Sequence, residues 1–339
     1  MSSERARKDM NRKIIVLTLF AFLVALSSPV YAQQTRKIFR IGFLDGGTAA
    51  GSAVLLEVFR QELSKLEWIE GKNISIEYGF AEGKNDRLPE LATELVRLKV
   101  DLIVVTELSP ALAAKGATTT IPIVITNVGD PVALGLVNSL ARPRSNVTGL
   151  ASLAPELNTK RLEILKDAVP KLARVGLLRT SGGANIAIDA QLKQLKAAAL
   201  ALKLKLEEIE TPFDAQGLES AFQTTKQKRV DAIMTITTRR FFAERKRIVE
   251  LAGKYRLPAI YFQKEFVDEG GLMSYGADYG DLYRRAAYYV DKILNGTKPA
   301  DLPVQQATKF EFVINLKAAK QIGLTLSPEF LARANQVIK

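Results

Sequence analysis

The chain has 339 residues, of which 47% are hydrophobic and 25% are charged, ordinary values for a globular protein of about two domains. It contains no cysteine and no histidine. Ser-His-Asp and Cys-His catalysis, structural zinc, iron–sulfur clusters and disulfide bonds are therefore excluded. The formal net charge of +12 raises the question of a nucleic-acid partner, so the location of the basic residues matters.

The N-terminus has the pattern of a secretory signal peptide, which we predict over residues 1–32. An uncharged apolar run at 14–26 follows Arg12 and Lys13 and precedes a small-residue cleavage site ending at Ala32. A membrane anchor is the alternative, but the run is short for a hydrocarbon core about 30 Å thick. Cleavage would leave 43 basic and 34 acidic residues, a net charge of +9. Because the remaining chain has no cysteine for a lipid anchor, we expect a soluble periplasmic protein.

Short apolar runs alternate with amphipathic segments through the rest of the chain. The run at 40–44 is followed by apolar residues at helical spacing in 55–66 and again in 88–95. Two further runs, 101–105 and 122–125, carry no charge beyond their first residue. Such runs are typical of parallel strands buried on both faces. This order predicts an α/β fold with a doubly wound parallel sheet.

The second half of the chain repeats the plan of the first. Three segments have counterparts about 130 residues later, a period far longer than that of solenoid repeats: 40–44 with 174–178, 100–103 with 230–233, and 121–124 with 257–260. The order and near-constant spacing predict two similar doubly wound lobes. The alternative is that generic βα units resemble one another.

The candidate site lies where the predicted strands end. In open parallel sheets ligands bind beyond the carboxyl ends of the strands, and two facing lobes form a cleft that a hinge can close. The loops at these ends are rich in residues that hydrogen-bond small polar ligands. We predict these ligand-binding residues: Asp45, Gly46, Thr48, Thr106, Ser109, Asn127, Asp130, Thr180, Ser181, Thr237, Arg239 and Gln263. The alternative is that they serve only as turn and helix-capping residues.

Two other classes of function lack their usual motifs. Asp45, Glu107 and Asp130 offer carboxylates to an enzyme, but no nucleophile–base pair exists without histidine, and 46–51 lacks the spacing of a nucleotide-binding loop. The basic cluster at 239–247 suits the solvated start of a helix, with a phosphate site as the alternative. We expect no catalysis, no metal, no cofactor and no nucleic-acid partner.

Three long stretches, 59–104, 121–150 and 255–324, resemble the substrate-binding proteins of ABC transporters, a family that includes tryptophan-type binding proteins. The resemblance implies the type I periplasmic binding fold, with two Rossmann-like parallel-sheet lobes joined by a hinge of three crossovers. It also implies the extent of each lobe: 36–150 plus about 276–300 for the first, and 151–275 plus about 301–339 for the second.

The same resemblance implies the function. The protein would capture a small polar, amino-acid-like or aromatic carboxylate ligand between its lobes and deliver it, as a monomer, to an ABC permease in the inner membrane. The loops at 106–109 and 129–131 would border the ligand. A ligand-sensing domain of a receptor or regulator, and an α/β enzyme, are the alternatives.

The second lobe departs from the family pattern in its charged residues. Relatives often carry an Asn-Pro or Asn-Ser element after the first strand and an acidic residue in a later loop. This chain has residues 179–185, which begin with Arg179, at the first place and residues 237–239, which end with Arg239, at the second. We hypothesise that both arginines favour a carboxylate, and hence an acidic or aromatic organic anion. Aromatic residues near the loops are candidates for stacking on a ligand ring, with core packing as the alternative: Tyr261, Phe262, Tyr275 and Tyr279.

Overall fold

The computed structural model describes residues 37–180, 186–212 and 216–339. The predicted signal peptide and the predicted site residue Ser181 lie outside the described residues. Within these three ranges no helix combines the length and the hydrophobicity needed to cross a bilayer.

The first lobe is built on a six-stranded sheet that is parallel throughout. Its strands are β1 (Phe39–Asp45), β2 (Ile74–Phe80), β3 (Leu102–Val105), β4 (Ile123–Val128), β5 (Val147–Ala151) and β11 (Gln305–Gln306), in the order β11-β5-β4-β3-β1-β2. The helices are α1 (Ala49–Lys65), α2 (Leu88–Arg97), α3 (Leu108–Ala117) and α10 (Tyr279–Leu294). All four residues of β3 are fully buried, in agreement with the apolar run predicted there.

The second lobe is built on a seven-stranded sheet. Its strands are β6 (Arg174–Thr180), β7 (Lys205–Thr211), β8 (Ala232–Thr235), β9 (Ala259–Tyr261), β10 (Met273–Ala277), β12 (Phe310–Asn315) and β13 (Gln336–Ile338), in the order β13-β12-β10-β9-β8-β6-β7. The helices are α4 (Ala154–Ala168), α5 (Ile186–Ala201), α6 (Gly217–Gln227), α7 (Arg239–Ala243), α8 (Arg245–Lys254), α9 (Glu265–Asp268), α11 (Leu316–Ile322) and α12 (Pro328–Leu331). The sheet is parallel except that β12 runs antiparallel to β10.

The chain crosses between the two sheets three times in its described part. It leaves the first sheet after β5, returns after β10 to form α10 and β11, and leaves again before β12. The segment that returns to the first lobe is held there by packing, since Leu282, Tyr283 and Val290 of α10 are buried in the core of that lobe. The predicted fold class, two doubly wound lobes joined by three crossovers, is confirmed.

The internal repeat extends to individual hydrogen bonds. In the first lobe the Asp101 carboxylate accepts a hydrogen bond from the Arg40 backbone N–H at 2.8 Å, and the Arg40 guanidinium donates to the Leu98 carbonyl at 3.0 Å. In the second lobe the Asp231 carboxylate accepts from the Arg174 N–H at 2.8 Å, and the Arg174 guanidinium donates to a backbone carbonyl at 3.3 Å. The two lobes therefore pin the start of their first strand to the start of the third in the same way.

The last crossover falls later than the sequence suggested. The predicted second lobe resumes at about residue 301, whereas β11 pairs with β5 in the first sheet. Val304 is also buried in the first-lobe core, so the return to the second lobe follows Gln306. The strand β11 consists of two exposed glutamines. Because it has no hydrophobic alternation, the sequence does not predict it.

Candidate functional site

A cavity of about 490 Å³ lies between the two lobes, beyond the carboxyl ends of the strands of both sheets. This is the position at which open parallel sheets bind their ligands. The volume is that of a site for a small organic molecule. Nine of the predicted site residues line this cavity: Gly46, Thr48, Ser109, Asn127, Asp130, Thr180, Thr237, Arg239 and Gln263.

Two further predicted residues, Asp45 and Thr106, do not line the cavity but are buried next to residues that do. The Asp45 carboxylate accepts hydrogen bonds from the Gly47 N–H at 2.6 Å and from the Ser52 hydroxyl at 2.8 Å. The Thr106 hydroxyl has no hydrogen-bond partner among the described residues. Asp45 therefore orders the loop that carries Gly46 and Thr48, whereas the side chain of Thr106 has no such role.

Arg239 connects the two lobes across the cleft. It begins α7 in the second lobe, and its guanidinium lies 2.9 Å from the Asp45 carboxylate and 2.7 Å from the Glu107 carboxylate, both in the first lobe. The neighbouring Arg240 donates to the Gly83 carbonyl of the first lobe at 3.3 Å. These contacts bridge the two lobes beside the cavity.

The two charged partners at this junction respond differently to burial. Burial raises the pKa of Glu107 to about 7. Removal from water destabilises the charged carboxylate by more than the nearby Arg239 charge stabilises it. Burial alone would lower the pKa of Arg239, but Asp45 and Glu107 outweigh that effect and raise it. Arg239 is therefore permanently charged, whereas Glu107 changes its charge near neutral pH.

The structure corrects the hypothesis that two arginines receive an anionic ligand. Arg179 does not line the cavity; it forms ion pairs with Glu208, at 3.0 Å, and with Glu210 on the adjacent strand β7. Arg239 does line the cavity, but two carboxylates already neutralise it. Successive strand residues face opposite sides, so Thr180 faces the cleft while Arg179 faces away.

Sequence reasoning missed a buried polar network behind the second-lobe wall of the cavity. It joins Asn158 and Arg161 of α4 to Gln191 of α5 and to Thr237, and both Gln191 and Thr237 line the cavity. Arg161 also donates to the Tyr275 carbonyl at 2.7 Å. One signal was available: Arg161 falls at helical spacing between the buried Leu157 and Leu165, where an apolar residue is expected.

The aromatic residues near the loops divide between the cavity and the core. Phe262 and Tyr279 line the cavity, as does Phe242, which was not predicted. Tyr261 stacks on the buried Phe266 with ring centroids 4.6 Å apart and belongs to the second-lobe core. The lining aromatic rings provide apolar surface beside the polar groups of the cavity.

Two α/β lobes, three crossovers and a cavity at the facing strand ends define the type I periplasmic binding fold. The chain matches the ABC transporter substrate binding protein family over residues 55–338, and it belongs to that family.

Three known proteins illustrate the similarity. The tyrosine-binding protein of Clostridioides difficile strain R20291 is 27% identical over 266 residues, which are 78% of this chain and 75% of that protein. The crystal structure of a conserved domain protein from Vibrio cholerae is 28% identical with a TM-score of 0.82, covering 89% of this chain and all of that one. The L-Trp complex of an ABC domain from Streptococcus pneumoniae is 25% identical with a TM-score of 0.79, covering 88% and 99% of the two chains.

Proposed function

We propose that this protein is the periplasmic solute-binding component of an ABC importer, and that it binds an amino-acid-like ligand with an aromatic side chain without catalysing a reaction on it. The observation that carries this proposal is the cavity of about 490 Å³ between the lobes, which Arg239 spans through ion pairs to Asp45 and Glu107. Because a ligand shifts an open–closed equilibrium only by its different contacts with the two states, a cavity lined from both lobes suits a receptor that closes on its ligand.

The cavity lining supports this class of ligand. Phe242, Phe262 and Tyr279 offer apolar ring surface for an aromatic group. The carboxylates of Glu107 and Asp130 in the first lobe offer acceptors for an ammonium group. The names of two relatives, a tyrosine-binding protein and an L-Trp complex, point to the same class.

The partner and the location follow from the family and from the N-terminus. The chain belongs to a family of ABC transporter components, so its partner would be a permease of the inner membrane. The pattern at 1–32 would export the chain and be removed near Ala32. The protein would then act as a monomer in the periplasm.

Calorimetry and thermal unfolding test the ligand class. We expect L-tryptophan or L-tyrosine to bind with one site per chain and to raise the unfolding temperature, since a ligand at about 100 times its Kd stabilises by about 2.7 kcal/mol. Sugars, nucleosides and acidic anions without an ammonium group serve as controls. Binding of only such an anion would contradict the proposed class. Cell fractionation with mass determination of the mature N-terminus tests export separately.

A further inference from the structure

Arg161 is a buried cation that no carboxylate of the described residues neutralises. Its exposed fraction is 2%, and no Asp or Glu in the described ranges lies within ion-pair distance of it. Burial lowers the pKa of Arg161 to about 10, so the guanidinium still carries its charge at neutral pH. A buried charge without a counter-ion is costly, which calls for an explanation of what it does beside the cavity.

A guanidinium can only donate hydrogen bonds, and this fixes the orientation of two neighbouring amides. The Asn158 oxygen accepts from Arg161, so the Asn158 NH₂ group must face the other way, where it donates to the Gln191 oxygen at 2.8 Å. That same oxygen accepts from the Thr237 backbone N–H at 2.9 Å. The Gln191 NH₂ group therefore lies on the Thr237 side, and it donates to the Thr237 carbonyl at 3.2 Å.

The hydroxyl of Thr237 is oriented by the same arginine. Its oxygen accepts a hydrogen bond from Arg161 at 3.4 Å, so its proton must point away from the guanidinium. Gln191 and Thr237 both line the cavity. The Thr237 O–H and the second N–H of Gln191 therefore remain as donors at the second-lobe wall, whereas the first-lobe wall includes the carboxylates of Glu107 and Asp130.

We infer that Arg161 is a positioning residue that determines specificity: through Asn158, Gln191 and Thr237 it makes the second-lobe wall a donor surface for the carboxylate of an amino-acid ligand. The ligand's ammonium group then faces the carboxylates of the first lobe. This inference rests on the proposed function, since it assigns the orientation of an amino-acid-like ligand in that cavity.

The test compares ligands that differ only in the carboxylate. Calorimetry measures the affinities of L-tryptophan and tryptamine, and of L-tyrosine and tyramine, for the wild type, R161M, R161K, N158D and T237V. R161K keeps a positive charge and hydrogen-bond donors on the same side chain. N158D is nearly isosteric but offers only acceptors to Gln191, which forces that amide to invert. R179M is the matched control, because Arg179 is a second-lobe arginine that does not line the cavity.

We expect the ratio of amino-acid affinity to amine affinity to fall about tenfold in R161M, N158D and T237V, and to stay near the wild-type value in R161K and R179M. Should R161M fail to fold, as judged by circular dichroism, N158D and T237V carry the same test with the arginine in place. An equal loss of affinity for amine and amino acid in these variants would show a merely structural role and overturn the inference. If the wild type binds none of the four compounds, the proposed ligand class is rejected, and this inference with it.

Discussion

At the scale of single residues, Asp45 shows how a strand-end carboxylate supports the cavity without lining it. It is fully buried, it accepts hydrogen bonds from Gly47 of its own loop and from Ser52 of α1, and it forms an ion pair with Arg239 of the other lobe. From the sequence, an acidic residue at the end of the first strand is a candidate ligand-binding residue. In the structure it does not line the cavity but pairs with Arg239 across the cleft. Glu107, the second partner of Arg239, keeps 31% of its side chain exposed and remains the group that responds to pH.

Glu107 should make the stability of the protein fall as the pH rises toward neutrality. Burial raises its pKa from 4.5 to about 7, so between these values the folded protein holds a proton that the unfolded chain has lost. Its stabilising contribution is full below pH 4.5 and is lost as the pH passes 7. In urea unfolding, the stability of wild type relative to E107Q should drop by about 1 kcal/mol over this interval, after allowance for the partial exposure of the carboxyl.

The exposed Glu94 provides a control of opposite sign. The hydrogen bond from Arg97 lowers the pKa of Glu94, so the stability of wild type relative to E94Q should stay constant above about pH 4.5 and fall only as the pH drops below that value. Parallel stability profiles of wild type and E107Q from pH 4.5 to 8 would contradict the assignment to Glu107.

At the scale of elements, a glycine sets the distance between two strands that lead to the cavity. Gly149 of β5 lies opposite Ile125 of β4, with a φ of +129°, and a Cβ there would lie 2.1 Å from the Ile125 carbonyl oxygen. The register of the two strands shifts between Ile125 and Val128, immediately before Gly129 and Asp130 enter the cavity wall. The close approach is therefore tied to the placement of this loop.

The variant G149A should lose about 3 kcal/mol or more of unfolding free energy, because both the φ angle and the backbone contact resist a side chain. G116A is the matched control. A Cβ at Gly116, in α3, meets nothing within 4 Å, and alanine there should stabilise by about 0.5–1 kcal/mol. Chemical denaturation measures both, and a loss of under 1 kcal/mol in G149A would contradict the expected strain.

At the scale of the whole molecule, side-chain polar contacts at the start of α7 bridge the cleft. Arg239 and Arg240 both bond to the first lobe, and the three crossovers form the covalent connection between the lobes. Hinge closure is set by the balance of such contacts in the open and closed states. Loss of Arg239 should therefore favour the open state, and it leaves the buried Asp45 without its counter-ion.

Energy transfer between two dyes should report this closure. The chain has no cysteine, so a variant with both V54C and K193C has one thiol on each lobe and no others. Both positions are exposed, on α1 and α5, and can be labelled with dyes. We expect R239M to lower the transfer efficiency of the ligand-free protein and to raise the L-tryptophan concentration needed to restore it. R247M, which removes an exposed contact to Glu219 within the second lobe, should match the wild type.

A second pair of labels, both on the first lobe, distinguishes a change in the distance between the lobes from a change in the dyes themselves. V54C and Y288C both lie on helices of the first lobe, so their transfer efficiency should not respond to ligand or to R239M. An unchanged cross-cleft signal in R239M would show that the ion pairs of Arg239 do not set the open–closed equilibrium.

Most of the cavity lining could be predicted because it follows from local rules. Apolar runs mark buried parallel strands, and the residues after each run must lie at the carboxyl edge where ligands bind. Gly46, Ser109, Asn127 and Asp130 were found in this way. What could not be predicted is which way an individual side chain points, as Arg179 shows, because its partner on β7 is set by strand pairing.

The sequence by itself determined the two-lobe α/β plan, the edge at which the cavity lies and the family, because hydrophobic periodicity and the residues of strand-end loops are local properties of the chain. The tertiary structure alone decided that Arg239 bridges the cleft to Asp45 and that Arg161 contacts Thr237 and, through Asn158, Gln191. These side chains are far apart in the chain and meet only after folding. Because the chain has no cysteine and no histidine, its site consists of hydrogen-bonding groups, fixed charges and apolar surface.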